Sequence, residues 1–152
     1  MATPKRRFQA IERLAAAGLS VAVSVAPIIP GLNDEDIAKV LTSAREAGAT
    51  RAHYTLLRLP GPVKDVFEER LREKLPLRAE RVLHRIRETR SGELSDPRFQ
   101  HRMRGEGIYA QTIERLFDTA ARKVGMRMSS MTETAPTTFQ RPARPSAQLS
   151  LF

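Results

Sequence analysis

Three stretches hold residues whose types and spacing could do chemistry. Two are Pro-Gly loops, Pro27-Ile28-Ile29-Pro30-Gly31-Leu32-Asn33-Asp34 and Arg58-Leu59-Pro60-Gly61-Pro62-Val63-Lys64-Asp65. Proline and glycine fix a tight backbone course there, so carbonyls and amides can line a ligand without side-chain bulk. The same residues also serve as plain turn and capping residues, and spacing alone leaves both readings open. The third stretch is His101-Arg102-Met103-Arg104-Gly105-Glu106-Gly107. Two arginines and a glutamate beside two glycines suit a phosphate- or substrate-binding loop, with Arg104 and Glu106 as the candidate contacts. The plainer reading pairs Arg104 with Glu106 locally and lets Gly107 open a helix.

Other chemistries are excluded or unsupported. Cysteine is absent, so no disulfide, iron–sulfur cluster or Cys-based zinc site can be held by this chain. His53, His84 and His101 lack metal-ligand spacing. Nothing resembles a nucleophile elbow, and no nucleophile–base arrangement is visible.

The elements that must position these loops form two matching half-units. Each runs as a helix, an Ala-Gly stop, a short apolar strand and a Pro-Gly loop, with Gly18 and Gly48 in equivalent places. Pro4 suits the first turn of a helix running to about Ala17, with Phe8, Ile11, Leu14 and Ala15 on one face. The strand VAVSVAPII is apolar on both faces apart from Ser24, the pattern of a parallel strand covered by helices on both sides. Asn33 or Asp34 is the expected cap of the next helix, which turns Ile37, Val40, Leu41 and Ala44 inward. A second strand, AHYTLLRL, precedes helices at about 64–75 and 77–90, with Val66, Phe67, Leu71, Val82, Leu83 and Ile86 pointing inward. From Ile108 to Val124 another helix carries Tyr109, Ile113, Leu116, Phe117, Ala120 and Val124 on one face.

Such a repeat predicts an α/β fold, with chemistry on the loops after the strands' C-terminal ends. Two parallel strands do not close a barrel, so the chain reads as the last part of something larger. The expected organisation is two αβ units of a partial barrel over 1–63, a helical extension over 64–125, and a flexible tail over 126–152.

The formal net charge is +9, carried by 21 Arg and 5 Lys. A basic surface attracts polyanions through counterion release. Against that, many of these arginines alternate with glutamates along helices, where charges four apart pair on a solvated face. Residues 14–32 carry no charge, but Gly18, Pro27, Pro30 and Gly31 make a helix end and a buried strand the better reading than a membrane span. No signal-peptide core follows the N-terminal basic residues, and a cytoplasmic location is expected.

Three segments together carry a resemblance: AGLSVAVSVAPIIPGLNDEDI, AGATRAHYTLLRLPGPVKDVFEERL and SDPRFQHRMRGEGIYAQTI. They resemble the C-terminal half of radical S-adenosylmethionine proteins related to spore photoproduct lyase, often labelled DNA repair photolyases. The resemblance implies that the two strands are similar to the fifth and sixth of a six-stranded partial β/α barrel. It implies contacts to the adenine and sugar of S-adenosylmethionine from Val25, Ala26 and Pro27 on the first strand and Leu57 and Arg58 on the second. Arg58 could instead reach a carboxylate or phosphate, or pair with Asp65. The family's 4Fe–4S cluster is held by three cysteines of the first barrel loop, and this chain has none. The expectation is therefore the C-terminal part of a lyase-like radical enzyme, inactive alone and completed by a missing N-terminal barrel half.

The terminal Gln148-Leu149-Ser150-Leu151-Phe152 resembles the bacterial sliding-clamp-binding motif. Leu149, Leu151 and Phe152 suit a hydrophobic cleft, and Gln148 suits hydrogen bonds at its rim. These residues could also dock on the domain's own core. From a different class, the chain can be read as a non-enzymatic basic module that binds DNA or the clamp.

Overall fold

Gly18 and Gly48 set the layout. Both adopt left-handed backbone, with φ of +80° and +100°, and each ends a helix so that the chain can turn into a strand. The computed structural model describes residues 3–96, 98 and 101–128. In chain order the elements are α1 (Pro4–Ala16), β1 (Ala22–Ile28), α2 (Ile37–Glu46), β2 (Arg51–Leu56), α3 (Val63–Lys74), α4 (Pro76–Glu88), α5 (His101–Arg104), α6 (Gly107–Lys123) and β3 (Arg127–Met128). A single 3-10 turn, Asp34–Asp36, leads into α2.

The chain is an α/β protein built on a three-stranded parallel sheet in the order β1-β2-β3. Ala22 to Val25 lie opposite Arg51 to Tyr54, and the register slips before Ile28 meets Leu56. The Ala26–Pro27 peptide, within that slip, is cis. The third strand is an addition to the two expected. Arg127 pairs with Arg51 and Met128 with Ala52, and Met126 is buried, so the sheet continues into the segment expected as tail. Two residues are too few for an alternating pattern to appear in a sequence.

Helices cover one face of the sheet, not both as the sequence predicts. Ala52, Tyr54 and Leu56 are buried on that face, together with half-buried Val23 and Val25. On the other face Ala22, Ser24 and Ala26 are exposed, and Arg51, His53 and Thr55 are half-buried. Alanine counts as apolar but exposes little surface, so hydropathy could not separate a covered face from an open one.

The main core joins the sheet to α2 and α6 through Ile37, Leu41, Ile113 and Phe117. The Tyr54 and Phe117 rings meet at 4.8 Å and a tilt of 43°, a geometry that adds roughly 1 kcal/mol beyond area burial. Expected inward positions Val66 and Leu116 are instead 56% and 41% exposed, and Ala110 and Ala121 are buried on α6. The buried face of α6 combines these small residues with Ile113 and Phe117. No residue of α1 is buried. Phe8 and Ile11 only half-bury against the core, while Leu14 stays 46% exposed.

A second core lies over the strand ends. Leu71 of α3 and Val82, Leu83 and Ile86 of α4 enclose Leu59, with Ile29, Leu32 and Leu57 packed against them. The α3–α4 pair therefore grips both Pro-Gly loops and positions the candidate site. Among the described residues no helix is long and apolar enough to cross a membrane.

Candidate functional site

The loop after β1 spends its polar groups on itself. Asn33 and Asp34 turn back into the loop and make no capping bond to the helix ahead, contrary to expectation. Asn33 Oδ1 accepts the Ile29 N–H at 2.7 Å, and its Nδ2 donates to the Pro27 carbonyl at 3.2 Å. Asp34 Oδ2 accepts the Gly31 N–H at 3.1 Å and the Tyr109 hydroxyl at 2.5 Å. The Arg85 guanidinium lies over the Tyr109 ring at 4.6 Å from its centre. Arg78 Nη2 donates to the carbonyls of Gly31 and Leu32 at 3.5 and 3.4 Å. The Ile29 and Gly31 amides already have acceptors, so these two groups are not presented to a ligand.

After β2 the strand end is held by a buried cation. Arg90 is 2% exposed. Its Nη2 donates to the Leu57 carbonyl at 2.8 Å and its Nη1 to the His101 carbonyl at 2.7 Å. Burial pushes the Arg90 pKa down and the neighbouring Arg58 adds to this, while Asp96 opposes both. Sequence reasoning missed Arg90 by placing it on a Glu-paired solvated face. The signal was its place in the inward series Ala79, Leu83, Ile86 and Arg90.

Of the five residues the resemblance implicates, three are exposed: Ala26, Pro27 and Arg58. Val25 turns into the main core and Leu57 into the second. The Leu57 amide is also taken, donating to the Ile28 carbonyl at 2.8 Å. Arg58 makes no ion pair with Asp65, so its guanidinium stands exposed at the end of β2.

The Arg104–Glu106 pair does not form. Arg104 Nη1 reaches Glu114 at 3.1 Å, and Glu106 accepts from Arg98 at 2.8 Å, with His101 Nδ1 3.3 Å away. Gly105 and Gly107 are there for close approach. A Cβ on Gly105 would stand 2.8 Å from Leu56 Cδ1 and 2.9 Å from the Thr89 carbonyl oxygen. On Gly107 it would stand 2.7 Å from the Glu88 carbonyl oxygen. Arg104, Glu106, His101, Gln111 and Glu114 nonetheless line one cavity of about 290 Å³ beside the start of α6. Among the described residues no group of three or more His, Asp or Glu could hold a metal.

No family model, curated protein or solved structure matches the chain. Gln148, Leu149, Leu151 and Phe152 lie outside the described residues.

Both tyrosines are shifted. Burial, then the hydrogen bond to Asp34, pushes Tyr109 up to about 12. Burial, then the Glu114 charge, pushes Tyr54 up to about 12. A phenol whose folded pKa exceeds its unfolded value contributes stability that is whole below pH 10 and lost as pH rises toward 12. The chain has two Tyr and no Trp, so ultraviolet titration of tyrosinate reads both groups directly. The expected result is one transition near pH 12 that moves toward 10 on unfolding in urea. A native transition at 10 contradicts the burial of both phenols.

Proposed function

We propose that this chain forms the C-terminal part of a radical S-adenosylmethionine barrel of the spore photoproduct lyase-like kind. The observation that carries the reading is the half-finished sheet. Among the described residues β1 has a strand on one side only, and the face bearing Ala22, Ser24 and Ala26 is exposed. In a closed barrel that edge takes the preceding strand and that face lines the interior.

Exposed Ala26 and Pro27 would meet the nucleoside of S-adenosylmethionine by backbone and apolar contact, and Arg58 would reach a carboxylate or phosphate beside it. Val25 and Leu57, turned into the two cores, support the strand ends instead. The iron–sulfur cluster of such enzymes does not fit this chain, which has no cysteine. Electron delivery therefore belongs to another part of the enzyme, and no catalytic residue is assigned here.

The test is reconstitution with a separately expressed three-cysteine barrel half carrying its reduced cluster. 5′-Deoxyadenosine should form only when both polypeptides are present, and Ala26→Trp should suppress it while leaving their association intact. An associated pair that releases none sinks the reading.

A second reading has its own support. On α1, Lys5, Arg6, Arg7 and Arg13 are exposed with no ion pair among the described residues, whereas arginines on α3 and α4 pair with glutamates. Such a surface suits a basic module that binds DNA phosphates, with the C-terminal pentapeptide engaging the sliding clamp.

A further inference from the structure

We infer that the free edge of β1 is a docking seam for a net-acidic polypeptide that adds one strand there, beside α1. The inference rests on the reading of β1 as an interior strand of a larger sheet, and it adds the chemistry of what pairs with it.

Three observations converge on this edge. The first is backbone direction. The Val21 carbonyl accepts from Thr50 across the β1–β2 seam. Alternation along the strand then turns the N–H and C=O groups of Ala22 and Ser24 outward, where no strand among the described residues pairs with them. Natural sheets guard such an edge with charge, yet β1 has none over its seven residues.

The second observation is the helix layer. α1 touches α2, and α2 touches α6, so the layer α1-α2-α6 follows the strand order β1-β2-β3. At the α1–α2 contact a Cβ on Gly48 would fall 2.6 Å from Ala15 Cβ. α1 is thus the outermost helix on the side of the free edge. Its apolar flank is under-covered there, with no buried residue and Leu14 46% exposed. One more strand would cover it.

The third is charge. Lys5, Arg6, Arg7 and Arg13 stand against the single acid Glu12 on α1, a local excess of three positive charges with no ion pair among the described residues. An incoming acidic segment is attracted and a basic one repelled. The same charge argues against a second copy of this chain. Pairing β1 with its own copy would bring a second basic α1 into the same space.

The experiment uses the isotopically labelled full chain and two synthetic peptides of one alternating Val-Thr core. One peptide is flanked by Asp and Glu, the other by Lys and Arg. The acidic peptide should shift the Ala22 and Ser24 amides and bind about tenfold more tightly at low salt, an advantage that fades as salt rises. Reversing the exposed cations (Arg6→Glu, Arg7→Glu, Arg13→Glu) should invert the preference. Equal binding of both peptides at Ala22 and Ser24 overturns the acidic partner but leaves the barrel reading standing. Absence of any shift at those amides overturns the seam, while the barrel reading stands or falls by reconstitution with the three-cysteine half.

Discussion

Gly105→Ala lowers the unfolding temperature by about 10 °C, whereas Gly61→Ala lowers it by about 3 °C. Both glycines have positive φ, +73° and +51°, so each alanine carries roughly 1–2 kcal/mol of left-handed backbone cost. Only Gly105 adds a collision. Its new Cβ meets the Thr89 carbonyl and Leu56, while nothing lies within 4 Å of the one on Gly61. Overpacking of that kind costs about 1–3 kcal/mol more, because a backbone carbonyl between α4 and α5 cannot swing aside. Circular dichroism melts of the two variants decide the matter. Equal shifts would mean that the glycine pair at 105 and 107 does not set the packing distance of α6 on α4.

The second large effect falls on Arg90. Arg90→Met keeps the bulk of the side chain but strips donors from the Leu57 and His101 carbonyls. The Leu57 carbonyl loses its donor, whereas the His101 carbonyl keeps the Gly105 N–H at 2.7 Å, so a loss of about 1–3 kcal/mol is expected. Arg90→Lys should recover only part, since one ammonium lacks the fork that spans two carbonyls. Arg72→Met is the control. That guanidinium sits exposed between Glu68 and Glu80, and exposed ion pairs contribute little. Urea unfolding of the three variants gives the ranking. If Arg90→Met matches Arg72→Met, the buried tie at the end of β2 does not hold the strand end.

These two effects also mark what could be read in advance. Helix ends at Gly18 and Gly48 were legible because left-handed backbone nearly requires glycine. The inward series of α4, with Val82, Leu83 and Ile86, was legible because three apolar residues at helical spacing leave one solution. Asn33 and Asp34 were misplaced because both are good caps in isolation. Their actual partners, Ile29 and Tyr109, are set by the turn and by a helix 75 residues away. Arg90 escaped because composition counts an arginine among glutamates as solvated, while geometry gave it carbonyls instead. The open face of the sheet was hidden by alanine, which hydropathy cannot assign to a side.

At the candidate site the same limits apply. Exposure of Ala26, Pro27 and Arg58 could not be read from a run of apolar residues ending in Pro-Gly. Nor could the diversion of Val25 and Leu57 into two separate cores, which follows from the register slip before Ile28 and from the α3–α4 cover.

Sequencing the DNA upstream of the Met1 codon, translated in every frame, tests most directly whether this chain completes a radical S-adenosylmethionine barrel. The expected result is an adjoining frame that encodes β/α units with a three-cysteine loop. An upstream region in which no frame encodes such a half would contradict it and leave the basic binding module as the standing reading.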